Sequence, residues 1–158
     1  MSNNILLPNK YKKIGWIILV PSFLIGLYLM ITGYQPGFLN AKALTIFPDD
    51  FSGSKKFFAV MDVNLTNTIV GSSFIVGALL VGFTKEKNED EFIANIRSSS
   101  LLWAVLANYI LLLISFIWIY GSSFLSVMMY NMFTVMLIFI IRFNYILRKY
   151  SKSMADEK

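Results

Sequence analysis

Few side chains in this 158-residue sequence could carry out chemistry. It contains no Cys and no His, which excludes disulfides, thiol redox chemistry, imidazole acid/base catalysis and most zinc or haem sites. Met128, Met132 and Met136 recur at every fourth position, a spacing that could direct thioethers toward copper(I) from one helix face. Because no Cys or His accompanies them, we interpret them as packing residues. We therefore expect no metal, no cofactor and no enzyme activity.

An acidic cluster precedes the third apolar run and could recognise a basic protein. Asn88, with Glu91 three residues later, is typical of a helix N-cap, and the following apolar stripe predicts an amphipathic cytoplasmic helix over residues 88–100. This helix could lie on the bilayer or at the rim of a bundle, or it could dock a cytoplasmic partner. The predicted docking residues are Glu89, Asp90, Glu91, Phe92 and Ile93.

The composition indicates which elements position these groups. The chain is 56% hydrophobic and only 15% charged, whereas a soluble domain carries about 25% charged residues. Each of four runs nearly free of charge approaches the length of about 20 residues that crosses a bilayer. The predicted spans are residues 14–32, 65–83, 101–120 and 124–141.

Two other interpretations of these runs are less consistent with the sequence. A soluble helix would keep a polar face, but residues 101–120 are apolar on all sides except at Asn108 and Ser115. The first run is longer than the core of a signal peptide. We predict one all-α membrane domain over residues 1–158, a four-transmembrane-helix bundle with a partly structured outer loop at 33–64.

The distribution of basic residues predicts the orientation. The two terminal segments and the connection at residues 84–100 contain eleven Lys and Arg, and the other side contains three. The positive-inside rule therefore places both termini in the cytoplasm. We expect a multi-pass protein of a bacterial cytoplasmic (inner) membrane.

The basic residues also suggest a partner. The isoelectric point is near 9.4, but no soluble folded module remains that could bind nucleic acid. A basic cluster follows the fourth span, where it could contact anionic lipids or act only as a topology signal. Its members are Arg142, Arg148, Lys149 and Lys152.

No ionisable residue lies within the predicted spans, which argues against a proton-coupled exporter. Four polar residues remain on the third and fourth spans: Asn108, Ser115, Asn131 and Thr134. Asn108 and Asn131 could contact each other between the two helices, directly or through Ser115. If Leu101 and Arg142 lie at the same depth, the two amides are offset by about 6 Å, which weakens a direct hydrogen bond. These residues could serve as packing contacts or as a solute site.

Small residues predict close helix packing on the second span. They are Gly71, Ser73, Gly77, Ala78 and Gly82. We expect this span to be central, and the pattern leaves open whether its partner is another span of the same chain or a second copy in a homo-oligomer.

Three stretches carry a resemblance to known proteins. They are residues 85–97 with the following Ser-Ser-Ser-Leu-Leu-Trp-Ala-Val, residues 130–134 and residues 141–145. On these stretches the chain resembles a family of small, uncharacterised bacterial four-span membrane proteins. Members of that family accompany small DNA-binding regulators, so the resemblance implies an accessory or regulatory role and supplies no catalytic residue.

Two functions therefore remain open. The first is an accessory or signalling protein that binds a cytoplasmic or membrane protein partner. The alternative is a small oligomeric transporter or channel for an uncharged solute, which would use the intramembrane amides. A membrane enzyme would need a nucleophile, a metal or an acid/base pair, and none of these stands out in the sequence.

Overall fold

The computed structural model describes residues 6–33, 36–45, 59–87 and 89–156. Four α-helices account for most of these residues, and a two-stranded antiparallel sheet follows the first helix and precedes the second along the chain. The elements are α1 (Lys10–Thr32), a short 3-10 helix (Gly37–Leu39), β1 (Asn40–Thr45), β2 (Ala59–Asn64), α2 (Thr66–Gly82), α3 (Glu91–Trp118) and α4 (Ser122–Asp156).

Three of the helices are long and apolar enough to cross a membrane, in agreement with the sequence prediction. They are Lys10–Thr32, Glu91–Trp118 and the Ser123–Lys152 part of α4. The helix of the second predicted span, α2, is also apolar but has 17 residues. At 1.5 Å per residue it measures about 26 Å, slightly less than the hydrocarbon thickness of about 30 Å.

The α3 and α4 helices both extend beyond their predicted spans at the same end. The α3 helix has 28 residues and the α4 helix has 35, so they measure about 42 Å and about 52 Å. The fourth predicted span ends at residue 141, yet α4 continues for fifteen more residues to Asp156. The amphipathic helix predicted over residues 88–100 begins at Glu91 and is continuous with the helix of the third predicted span.

Local chemistry defines where these helices begin and end. Asp90 is the N-cap of α3 and accepts a hydrogen bond from the Ile93 backbone N at 2.8 Å. The cap was predicted at Asn88, which lies outside the described residues. Between α3 and α4, Gly121 adopts φ +72°, a left-handed conformation that glycine tolerates and that reverses the chain within three residues.

The chain divides into two compact units, Met1–Ile17 with Ile75–Lys158, and Ile18–Phe74. The core of the first contains Ala78, Ala104, Phe139 and Phe143, all fully buried. In the second, Phe23 and Phe74 pack with their ring centroids 6.4 Å apart.

The second unit also contains the β1–β2 hairpin, within the loop that was predicted to be partly structured. Lys42 lies opposite Asp62 in the register, and opposite charges at such positions stabilise a strand pair. Asn64 donates to the Pro36 carbonyl at 2.9 Å and accepts from the Thr66 N–H at 3.0 Å. Asn64 therefore connects the end of the hairpin to the start of α2.

Candidate functional site

The connection between α2 and α3 is held by a buried arginine, Arg97, which is 8% exposed. Its Nη1 lies 2.8 Å from Glu89 Oε1, and its Nη2 donates to Glu89 Oε2 at 3.1 Å and to the Thr84 carbonyl at 3.2 Å. The guanidinium carbon lies 5.1 Å from the ring centroid of Phe143, which is fully buried on α4. Arg97 thus joins the α2–α3 connection to α4 through charge, hydrogen bonds and stacking.

The segment before α1 holds the same connection from the other side. The Leu7 N–H donates to the Phe83 carbonyl and the Lys85 N–H donates to the Leu7 carbonyl, both at 2.9 Å. Lys12 forms an ion pair with Glu86. The N-terminal segment and the α2–α3 connection therefore lie side by side within the first unit.

Most of the predicted docking surface is used inside the chain. Glu89 is paired with Arg97, Asp90 caps α3 and Ile93 is buried. Phe92 is 47% exposed, and one side of its ring packs on Tyr150 of α4 with the centroids 4.4 Å apart. Glu91 is exposed, and so is Asp90 although it caps α3, so these two carboxylates and the outer side of Phe92 are the parts of this surface that a partner could reach.

Of the four intramembrane polar residues, the structure brings two together. Asn108 donates to Asn131 Oδ1 at 2.9 Å, and Asn131 donates back to Asn108 Oδ1 at 3.2 Å. Asn108 is only 3% exposed. Ser115 and Thr134 instead donate to carbonyls one turn earlier in their own helices, at 2.9 Å and 3.1 Å.

The direct amide pair differs from the expected offset because the assumed register was wrong. Arg97 contacts Phe143 and, toward the other end, Phe116 contacts Phe124. These contacts place Arg142 about one turn beyond Leu101 rather than level with it, which removes most of the offset. Neighbouring helices share no common depth reference in a sequence, so this register could not be read from span lengths.

The predicted basic residues lie on the C-terminal part of α4. The Arg142 guanidinium carbon is 4.7 Å from the ring centroid of Trp103 on α3. Arg148, Lys149 and Lys152 are exposed. Within the described residues, none of these four basic side chains forms an ion pair.

The small residues predicted to pack are concentrated at the C-terminal half of α2. Gly77, Ala78 and Gly82 are buried, whereas Gly71 and Ser73 are half-buried. A Cβ added at Gly82 would lie 2.6 Å from the Phe139 ring.

A close approach between α1 and α2 involves a glycine that sequence reasoning missed. A Cβ on Gly15 would lie 2.8 Å from Leu80 Cβ and 2.9 Å from the Val81 backbone N. Small residues indicate close helix packing when they recur four residues apart, and Gly15 has no such neighbour on α1. The sequence feature that could have indicated a close approach here was the position of Gly15 near the basic end of the first predicted span.

The described residues contain no group of three or more acidic, His or Cys side chains that could hold a metal ion. One open depression between turns of α3 is lined by Tyr109, Leu112, Leu113 and Phe116, which offers apolar surface and no reactive group. Comparisons with protein-family models, with curated proteins and with solved structures find no match to this chain. Its function is therefore argued from the geometry of the α3–α4 hairpin and the segments attached to it.

Proposed function

We propose that this chain is an integral membrane protein with four spans and cytoplasmic termini, which acts as an accessory or regulatory partner of a cytoplasmic protein. The pairing of Leu7 with Thr84 supports the four-span topology. The two residues must lie on one side of the membrane, although α1, which is long enough to cross it, lies between them. If α1 crosses the membrane, the chain must cross back before Thr84, and α2 is an apolar helix that can provide this second crossing.

Two observations support α2 as a short span. Its helical hydrogen bonds continue at both ends, from the Ile69 N–H to the Leu65 carbonyl and from the Phe83 N–H to the Leu79 carbonyl. The apolar run over residues 65–83 then measures about 28 Å, and bilayers adapt to a mismatch of a few Å at modest cost.

The same reasoning applies to α3 and α4. Phe92 near the start of α3 packs on Tyr150 near the end of α4, so these ends lie on one side. That side carries eleven of the fourteen basic residues, which supports a cytoplasmic location.

The extension of α3 and α4 beyond the bilayer carries the functional proposal. Residues 91–100 and 142–156 form what we call the inner head, which projects about 15 Å on α3 and about 22 Å on α4. A membrane anchor alone needs no such projection. The Arg97 pair fixes the head to the α2–α3 connection, and its α3 surface presents Glu91 and Phe92, an acidic and an aromatic group suited to a basic partner.

The alternative, a transporter for an uncharged solute, has less support. The amides of Asn108 and Asn131 satisfy each other, and Thr134 bonds to its own helix. None of the three points to a polar path between the helices.

Single-cysteine labelling tests the four-span topology, because the chain has no native Cys. In intact cells a membrane-impermeant maleimide should label Lys42→Cys, whereas Lys87→Cys and Lys152→Cys should be labelled only after the membrane is opened. Leu106→Cys, within a span, is the unlabelled control. Labelling of Lys87→Cys from outside would contradict the proposed topology.

Reversal of one charge tests the accessory role. Glu91→Lys should reduce the recovery of a co-purifying cytoplasmic protein by about tenfold, the effect of losing roughly 1.4 kcal/mol of binding energy. Lys87→Glu is the matched control, since Lys87 is exposed on the adjacent connection and should leave recovery unchanged. Equal recovery from both variants, or no partner stable to purification from the native membrane, would contradict the role.

A further inference from the structure

The C-terminal part of α4 presents a stripe of basic and aromatic side chains along one face. Arg148 and Lys149 each lie three or four residues from both Tyr145 and Lys152, and all four side chains are exposed, Tyr145 to 68%. The opposite face of the same segment packs on α3 through Phe143 and Tyr150. The stripe is therefore the outward surface of a helix that is already held in place.

Arg142 begins this stripe where the apolar part of α4 ends. Its guanidinium lies over the Trp103 ring, and its Nε is buried with no hydrogen-bond partner in the described part of the chain. Arg142 as a whole is half-buried, and Trp103 is exposed. Stacking holds a guanidinium in a fixed plane with its donors arranged for a phosphate or carboxylate, which a lysine cannot reproduce.

Within the part of the chain that the structure describes, no ion pair neutralises the positive charge of the stripe. In the described residues the ion pairs are Lys12 with Glu86 and Arg97 with Glu89, so none of the basic groups of the stripe has an acidic partner. Four basic groups that form no ion pair in the described residues create a local positive potential that attracts anions.

We propose that Arg142, together with Tyr145, Arg148, Lys149 and Lys152, binds the phosphate head groups of anionic phospholipids. Arg142 holds one head group beside Trp103, and the other three basic residues add electrostatic attraction. The proposal rests on the membrane location of the hairpin proposed above, but not on which side of the membrane the stripe occupies.

The position of the stripe favours a lipid over a nucleic acid or an acidic protein. Arg142 directly follows the apolar run, at the depth where head groups begin, and Trp103 and Tyr145 are of the residue types enriched at membrane interfaces. Lys152 lies ten residues further on, about 15 Å along the helix. Since the head-group layer is about 5 Å or more thick, even Lys152 stays within about one Debye length of it.

Lipid selectivity at a single tryptophan tests the proposal. The chain has three Trp, so Trp16→Phe with Trp118→Phe leaves Trp103 as the only tryptophan, which can be excited selectively at the red edge of its absorption. In phosphatidylcholine vesicles containing brominated phosphatidylglycerol, quenching at Trp103 should show about fivefold preference for the anionic lipid over brominated phosphatidylcholine. A preference near one in this background would overturn the proposal.

The other end of α3 provides the matched control. Trp118, left alone by Trp16→Phe with Trp103→Phe, should show a preference near one, because residues 98–141 of the α3–α4 hairpin contain no Lys or Arg. Quenching of both tryptophans is measured in vesicles whose two leaflets have the same lipid composition, so the result does not depend on the orientation of the protein. The lipid test can therefore fail independently of the cysteine-labelling test. Equal preference at Trp103 and Trp118 would mean that the whole protein attracts anionic lipid and would also contradict the site.

Substitutions separate the contribution of Arg142 to the lipid preference from that of the other basic residues of the stripe. Arg142→Gln should remove most of the preference, and Arg142→Lys should keep only part of it, because the charge remains but the stacked geometry is lost. The triple variant with Gln at 148, 149 and 152 should reduce the preference and remove most of its salt dependence. Displacement of the lipid by 10 mM inorganic phosphate, or by an oligonucleotide or acidic peptide at low concentration, would assign the stripe to a soluble ligand and overturn the proposal.

Discussion

Replacement of Arg97 by alanine should destabilise the protein by about 3 kcal/mol, within the range found when one member of a buried ion pair is removed. The substitution would leave Glu89, whose side chain is only 18% exposed, without its cation. It would also remove the bond to the Thr84 carbonyl and the contact with Phe143. Thermal unfolding of the purified protein in detergent, followed by circular dichroism, measures the change.

A double-mutant cycle separates this effect from a simple loss of side-chain volume. Glu89→Ala with Arg97→Ala should be at least about 1 kcal/mol less destabilising than the sum of the single changes, because no buried charge is then left unpaired. Arg148→Ala is the control for loss of a basic residue and should change stability by less than about 0.5 kcal/mol, since Arg148 is exposed. An additive cycle would show that the pair does not act as a unit.

The sequence was sufficient to predict the helices, because a bilayer requires each span to be long and apolar. It did not predict that α4 continues to Asp156. Residues 142–156 are rich in Lys, Arg and Ser, so a hydropathy average assigns them to a tail. The helical signal was present in the spacing of Phe143, Leu147 and Tyr150, which places apolar groups on one face toward α3.

The Arg97 site could not be derived from the sequence for a different reason. Arg97 and Glu89 are eight residues apart, and the N-cap at Asp90 lies between them, so no periodicity within one helix relates the two. A partial signal existed, because Arg97 directly follows Ile96 of the predicted apolar stripe. The helix with that stripe was predicted to lie on the bilayer, at the rim of a bundle or against a partner, and the burial of Ile93 and Ile96 within the chain fits the rim.

The positions of the acidic residues explain why only part of the docking prediction remains. Three adjacent acids at a helix start have three different tasks: Glu89 pairs with Arg97, Asp90 caps the helix, and Glu91 points to solvent. A composition argument treats these carboxylates as equivalent. Glu91 and the exposed Asp90 remain accessible to a partner, so the structure narrows the proposed surface to two adjacent charges beside one aromatic ring.

Replacement of Gly15 by valine should be the most disruptive change on α1. Even the Cβ would lie 2.8 Å from Leu80 Cβ and 2.9 Å from the Val81 backbone N, and a backbone atom cannot move aside as a flexible side chain can. The facing segments of α1 and α2 must then separate, which should cost about 3 kcal/mol as an overpacking effect. Close approach is what glycine provides between spans, where lipid competes for every other apolar contact.

A control on the same helix distinguishes the clash between α1 and α2 at Gly15 from a general intolerance of larger residues on α1. Gly26→Ala is the control, because its Cβ would meet Val70 Cγ1 at 3.5 Å, an ordinary contact, and alanine has the higher helix propensity. We expect Gly26→Ala to be neutral or slightly stabilising and Gly15→Ala to lower the unfolding temperature by several degrees. Leu80→Ala should not rescue Gly15→Ala, since the Leu80 Cβ and the Val81 backbone both remain. Rescue by Leu80→Ala would show that a movable side chain, and not the approach of the two helix backbones, sets the requirement for glycine at position 15.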